Sequence, residues 1–306
     1  MTDCTPPKVA AISTAGSSNL LLGVLCGAGA AFGWAAGLAG AVHGIGAGLE
    51  PPDLALHRYA WLGPILLFFV FRHSLARPGS MSWGTGLALT AFAGPPLALF
   101  SYLGFLGVPL GHGAVIQPSS AALGGLILTA LFLNEPLSRT RLLGAFAIVA
   151  GLIVYAGEAA TTIGRSGILG DLSFMAAGLC WAMFGLLLGR WQIEPLRAVT
   201  VVTVLSFLIY VPIHAVWFGF ERIVAVGVAE NVLQAVLQGV MSSAGGIYLF
   251  TRAVAYLGSG RAAVFPALVP VFTIAIGFLF LGAIPTAPQL AGLAIVILGF
   301  AFVLRR

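Results

Sequence analysis

Three polar side chains spaced four residues apart are the first groups in this sequence that could bind a ligand. Gln234, Gln238 and Ser242 stand within a long apolar stretch, so on an α-helix they form a polar stripe along one face. Amide and hydroxyl groups at such depth either bond a neighbouring helix or line a wet cavity. The pattern leaves both interpretations open.

Two tryptophans, Trp34 and Trp181, lie near the middle of other apolar stretches. Tryptophan in membrane helices is usually interfacial, and that role suits the four near segment ends, Trp61, Trp83, Trp191 and Trp217. A mid-depth indole either fills a core gap or lines a cavity, where it offers an apolar ring and one N–H donor. Their matching depths favour cavity lining.

Proline breaks accompany these groups. Pro95 follows Gly94, Pro118 follows Gln117, and Pro266 stands 148 residues after Pro118. Proline removes a helical hydrogen bond and frees a carbonyl, and paired breaks in two repeats point to a transport site or hinge. A kink without function is the alternative.

Charged groups in the apolar stretches are few. Three roles are open for Arg58: it reaches outward to the membrane surface, it pairs with Asp53, or it binds a ligand carboxylate. No Asp or Glu stands at the middle of a stretch, which weakens a proton-coupled mechanism. No HExxH, GxSxG or carboxylate cluster occurs, and His57 and Asp53 are only loose catalytic candidates, so a membrane-embedded enzyme is the less favoured alternative.

The composition assigns the chain to the membrane. Of 306 residues, 59% are hydrophobic and 8% charged, with a mean hydropathy of +1.05, whereas soluble domains are about 25% charged. The basic residues of this +5 chain are scattered between apolar runs, so we expect a lipid bilayer as partner and no nucleic acid. The three cysteines lack metal-ligand spacing, and we predict no metal and no cofactor.

Ten apolar segments follow one another along the chain. Most reach the ~20 residues that a helix needs to cross the hydrocarbon core, and none alternates in polarity as a barrel strand does. They comprise residues 19–42, 54–72, 82–105, 112–133, 140–157, 167–189, 196–218, 231–256, 261–282 and 287–304. The sequence predicts an all-α membrane protein with ten transmembrane helices.

The second half of the chain repeats the first. Residues recur at a spacing of 148 in four pairs: Pro118 and Pro266, Leu133 and Leu281, Gly144 and Gly292, Gly151 and Gly299. Because each half holds an odd number of helices, five, the second is predicted to be inverted relative to the first. The predicted units are an N-terminal tail 1–18, a first repeat 19–157, a linker 158–166 and a second repeat 167–304.

Basic residues predict the orientation. Of the 14, alternation of the helices puts eleven on or near one side and three, Arg58, Arg165 and Arg222, on the other. Because Lys and Arg concentrate in cytoplasmic loops, both termini are predicted to be cytoplasmic. A cleaved signal peptide is the alternative for the N-terminus, although the run 19–42 is longer than the apolar part of such a peptide.

Several glycines are predicted to be packing positions. Gly29, Gly33 and Gly37 recur every four residues in the first segment, which suits close helix packing more than sliding. Gly144 and Gly151 in the fifth segment match Gly292 and Gly299 in the tenth. We expect these two segments to dock on each other there.

At this point the chain resembles a known group. Leu131-Phe132-Leu133-Asn134-Glu135-Pro136-Leu137-Ser138 and the later Gly144, with the entry of the second segment from Pro52 to Arg58, resemble the EamA-type members of the drug/metabolite transporter superfamily. The chain is most similar to bacterial aromatic amino-acid exporters. In the second repeat Ala283 stands where the family pattern has Glu.

The resemblance implies an inner-membrane exporter of small metabolites, with a central cavity between helices 1 to 4 and 6 to 9 and with helices 5 and 10 apart from it. Alternating access would expose amino acids, aromatic and other apolar ones, to each side in turn. Purines, sugars or drugs are alternative substrates, and downhill export and antiport both stay open. A monomer or homodimer is expected. The expected substrate-binding residues are Trp34, Tyr102, Gln117, Trp181, Gln238, Ser242 and Tyr248, with Pro95, Pro118 and Pro266 as hinges or kinks.

Overall fold

The computed structural model of the protein describes residues 17–73, 82–108, 110–133, 138–164, 167–281 and 284–304. Over these ranges every element is helical and none is a β-strand, which confirms the all-α class. The predicted tail 1–18, the motif around Glu135 and Ala283 lie wholly or partly outside the described residues.

The first half of the chain contributes seven α-helices and one 3₁₀ turn. They are α1 (Ser17–Ala47), α2 (Pro51–Ala60), α3 (Leu62–His73), α4 (Trp83–Ala93), α5 (Pro95–Gly107), α6 (Leu110–Phe132), α7 (Arg139–Ala156) and the 3₁₀ helix Gly157–Thr162. This 3₁₀ helix occupies much of the predicted linker.

The second half begins with two long helices and then becomes irregular. Its elements are α8 (Ile168–Trp191), α9 (Pro195–Trp217), α10 (Glu221–Ala225), α11 (Gly227–Gln234), a π-helical stretch (Ala235–Gly245), α12 (Gly246–Leu257), α13 (Ser259–Ala262), a 3₁₀ turn (Phe265–Leu268), α14 (Val269–Leu281) and α15 (Ala287–Leu304).

Nine helical segments among the described residues are long and apolar enough to cross a membrane, as a multi-pass membrane protein requires. The second predicted segment differs, because α2 and α3 are helices of 10 and 12 residues that meet at Trp61. At 1.5 Å per residue neither reaches across the hydrocarbon core alone. The tenth span and the inverted relation of the halves stay predictions.

The three predicted proline breaks have different backbone settings. Pro95 is the first residue of α5, where its missing N–H costs no helical bond. Pro118 lies inside the continuous helix α6. Pro266 is the second residue of the 3₁₀ turn between α13 and α14.

Helices α7 and α15 pack against each other in antiparallel fashion through their glycines. A Cβ atom on Gly144 would lie 2.6 Å from the carbonyl oxygen of Gly299, and one on Gly151 would lie 2.7 Å from that of Gly292. The reverse substitutions meet the same backbone, since a Cβ on Gly299 would lie 2.7 Å from the Gly144 oxygen. The predicted docking is confirmed.

The glycines of α1 have a similar role toward the second half. A Cβ on Gly33 would lie 2.6 Å from the Met241 carbonyl oxygen, and one on Gly37 would lie 2.5 Å from the Cβ of Ser242. The π-helical stretch therefore packs directly on the backbone of α1, as the packing interpretation predicts.

Candidate functional site

A cavity of about 620 Å³ lies between the two halves of the helix bundle. Its wall is mainly apolar, and α1, α2, α5, α6, α8, the π-helical stretch and α14 all contribute to it. This volume lies within the range of ~300–1,000 Å³ that small-molecule sites in proteins occupy.

Six of the seven expected binding residues line this cavity: Trp34, Tyr102, Gln117, Trp181, Gln238 and Ser242. Pro118 and Pro266 line it too, whereas Pro95 is buried outside the lining. The structure does not bring Tyr248 there: it lies on α12, beyond the end of the π-helical stretch that carries Gln238 and Ser242. Tyr248 is 36% exposed and borders a separate surface pocket with Arg252 and Tyr256.

One wall of the cavity is aromatic. The indoles of Trp34 and Trp181 contact each other edge to face, with ring centroids 4.8 Å apart. The ring centroid of Phe250 also lies 4.8 Å from that of Trp181. Trp181 is only 6% exposed, and its Nε1 donor has no hydrogen-bond partner. The wall thus combines an apolar surface with an unused N–H group.

The polar stripe both bonds a neighbouring helix and lines the cavity. Gln234 and Gln238 each donate through Nε2, at 2.7 Å, to a carbonyl oxygen of α1, on Gly40 and Gly37 respectively. The Gln238 Oε1 accepts the Tyr102 hydroxyl at 2.7 Å. The two interpretations of the stripe are therefore compatible.

Arg58 is the functional candidate that the sequence pattern left undecided. Its side chain is 8% exposed and lines the cavity. Nη1 donates to the Ser242 hydroxyl at 2.8 Å and to the Tyr102 hydroxyl at 3.4 Å, while Nε has no partner. Arg58 neither reaches the surface nor pairs with Asp53. In the sequence, the one signal for a role of Arg58 in the cavity was the presence of a basic residue within an apolar run.

Comparisons with known proteins find a family match in the second half of the chain and a similar solved structure. Residues 168–305 match the EamA-like transporter family. A solved crystal structure superposes with a TM-score of 0.69 at 17% identity, covering 94% of this chain and 98% of its own. At that identity the likeness shows a shared fold. No curated protein matches the chain.

The EamA-like domain and the first half each supply part of the cavity. The domain carries Trp181, Gln238 and Ser242, and the first half carries Trp34 and Arg58. The ends of α7 and α15 also reach the cavity through Tyr155 and Gln289. This corrects the expectation that the fifth and tenth helices stand apart, because the two packed helices present one pair of ends to it.

A charged cluster links the first half to the EamA-like domain at one end of the bundle. Asp53, at the start of α2, is fully buried and accepts from Arg222 Nε at 2.7 Å. It also accepts from the Glu50 backbone N–H at 2.9 Å, and His214 Nε2 lies 3.4 Å away. The hydrogen bond to the Asp53 carboxylate raises the pKa of Arg222. Asp53 therefore pairs with the Arg222 cation and does not serve as the counter-ion of Arg58.

Other expected groups have structural partners. Gln117 donates through Nε2 to the Ser101 hydroxyl at 3.1 Å, and His112 contacts Asp171 at 2.6 Å between α6 and α8. Over the part of the chain that the structure describes, no group of three His, Cys, Asp or Glu could hold a metal ion. The cavity lining thus offers apolar surface and hydrogen-bonding groups.

Proposed function

We propose that the protein exports small metabolites across a bacterial inner membrane by alternating access, amino acids with aromatic or other apolar side chains being the first candidates. The observation that carries this is the cavity between the halves, to which each half brings one tryptophan of a contacting pair. The EamA-like domain at residues 168–305 supports a transport role.

The chemistry of the cavity suits an amphipathic solute. Trp34 and Trp181 offer ring surfaces for offset or edge-to-face contacts with an aromatic side chain, worth about 0.5–1.5 kcal/mol beyond the buried area. Arg58, Gln238 and Tyr102 supply polar groups on the same cavity. No carboxylate lies among the lining residues that the structure describes, which disfavours a cationic drug over an amino acid. Purines and sugars remain the alternative substrates.

The cavity is also built where helices can rearrange. Pro118 and Pro266 line it on α6 and ahead of α14, and irregular backbone in two halves of a transporter is a typical place for movement about a central site. We propose these two prolines as hinges. Pro95, at the start of α5, would act as a kink outside the lining.

The enzyme alternative finds less support. Reaction at the cavity would need a nucleophile with a base or metal ligands held together. The described lining residues include no Asp, Glu, His, Cys or Lys. The His57 ring instead accepts from Trp61 Nε1 at 2.8 Å.

We propose that both termini are cytoplasmic, because eleven of the 14 basic residues would then lie on or near the inner side. The Asp53 and Arg222 cluster would lie at the outer end. The active unit would be a monomer or homodimer. A fluorescent reporter fused to the C-terminus should be active, and a periplasm-dependent phosphatase fused there inactive; the reverse result contradicts the orientation.

Counterflow in liposomes tests the function. Vesicles containing purified protein are preloaded with unlabelled tryptophan, phenylalanine, methionine or threonine, and entry of the labelled counterpart is followed with and without a pH gradient. Saturable exchange supports an amino-acid carrier, and indifference to the gradient supports downhill export. Absence of exchange for all four by folded protein overturns the amino-acid assignment.

A further inference from the structure

We infer that Arg58 binds the carboxylate of the transported solute, and so restricts transport to small organic acids and amino acids with a free carboxylate. This inference rests on the proposed transport function, whose substrate class it defines. It assigns a binding role to a side chain on α2, which contacts the polar stripe of the EamA-like domain at Ser242.

The first observation is that Arg58 has no counter-ion among the side chains that the structure describes. The acidic side chains that the structure describes have other partners or lie elsewhere: Glu50 and Asp53 with Arg222, Asp171 with His112, Glu194 with Arg197, Glu230 with His43, and Glu221 exposed at the start of α10. Arg58 is more than nine-tenths buried. A buried charge without a counter-ion is costly, and an arriving anion would reduce that cost.

The second observation is that two residues of the cavity lining each carry a donor without a hydrogen-bond partner. Arg58 Nε and Trp181 Nε1 are both buried without a hydrogen-bond partner, and both residues line the same cavity. Guanidinium and indole nitrogens can only donate. Their ligand must therefore supply acceptor atoms, as a carboxylate does.

The third observation is that the surrounding groups hold the guanidinium in place. The Tyr102 hydroxyl donates a hydrogen bond to Gln238, and its oxygen accepts one from Arg58. Gln238 is itself tied to the Gly37 carbonyl of α1. Because α5 of the same half and the π-helical stretch of the other half fix the position of Arg58, little ordering is needed when the anion binds.

The composition of the lining predicts which part of an amino acid matters. The described side chains that line the cavity include one guanidinium and no carboxylate, so a solute ammonium would meet only neutral oxygens among them. Removing the ammonium from phenylalanine should therefore matter less than neutralising the carboxylate. 3-Phenylpropanoate should be recognised, and phenylalaninamide should not.

Competition on the wild-type protein tests this order. Binding of labelled phenylalanine to detergent-purified full-length protein is displaced with phenylalanine, 3-phenylpropanoate or phenylalaninamide. A hydrogen-bonded charged group contributes about 10- to 100-fold in affinity, so we expect the amide to be at least about tenfold weaker than either acid. Equal displacement by acid and amide, or no binding of either acid, overturns the inference.

Variants then connect the preference to Arg58. Arg58→Gln should remove the difference between acid and amide, and Arg58→Lys should retain part of it because the charge remains. Arg252→Gln, on α12 beside the surface pocket, is the matched control and should preserve it. A purely structural role for Arg58 would weaken both ligands equally. If Arg58→Gln does not fold, the wild-type competition still decides the carboxylate requirement.

Failure of the two proposals looks different. Acid-selective binding without counterflow would contradict transport and leave the anion site standing. Counterflow that accepts amide and acid equally would contradict the anion site and leave transport standing.

Discussion

The indole of Trp34 stands against the indole of Trp181 at 80° between ring planes, with centroids 4.8 Å apart. One belongs to α1 and the other to α8, so a single ring pair spans the two halves of the bundle at the cavity wall. Any rearrangement that opens the cavity by separating the halves must change this contact.

Trp181→Ala should reduce counterflow at least tenfold, because it removes both the ring surface and the N–H donor. It should also destabilise the protein by about 3–5 kcal/mol, as buried Trp-to-Ala changes do. Trp181→Phe is therefore measured as well, because it removes the N–H donor and keeps an aromatic ring. Trp83→Ala, whose side chain is 80% exposed, is the control. Unchanged counterflow in folded Trp181→Ala protein contradicts a role in the cavity.

Gly151→Ala should lower the melting temperature in detergent. Its Cβ would lie 2.7 Å from the Gly292 carbonyl oxygen, and α7 and α15 would have to separate at a cost of about 1–3 kcal/mol. Gly46→Ala is the matched control in α1, where nothing lies within 4 Å; helix propensity predicts that it stabilises by up to about 1 kcal/mol. Equal melting temperatures for the two variants would mean that α7 and α15 do not pack as described.

Asp53→Asn should destabilise the protein by at least about 1.5 kcal/mol, since it weakens hydrogen bonds to a charged, buried group formed with Arg222 and the Glu50 N–H. Thermal unfolding measures the loss. Glu194→Gln is the control, because its pair with Arg197 is exposed and should contribute at most about 1 kcal/mol. A larger loss in the control would refute the importance of the buried pair.

Pro118→Ala should slow exchange several-fold while leaving substrate affinity unchanged, if α6 bends at Pro118 during transport. Alanine is favoured over an interior proline by about 3 kcal/mol in helices, so melting should not fall. Pro212→Ala, inside α9 and outside the cavity, should leave the exchange rate as it is. Exchange kinetics in liposomes separate rate from affinity, and an unaltered rate in Pro118→Ala would identify a kink without function.

The sequence by itself determined the class of the protein and where most helices lie, because hydrophobicity and length act on each segment separately. It also located the contact of α7 with α15, since glycines two turns apart leave backbone exposed on one helix face. Depth in the predicted segments pointed to Trp34, Trp181, Gln238 and Ser242 as cavity residues, and proximity to proline breaks pointed to Tyr102 and Gln117.

Only the tertiary structure decided which partners the charged groups have. Asp53 pairs with Arg222, 169 residues away, and Arg58 contacts Ser242, 184 residues away; the local sequence had left Asp53 as one partner for Arg58. The position of Tyr248 outside the cavity likewise depends on how α12 follows the π-helical stretch. Helix packing selects such partners across long sequence separations, and a pattern within one segment carries no information on which helix will face it.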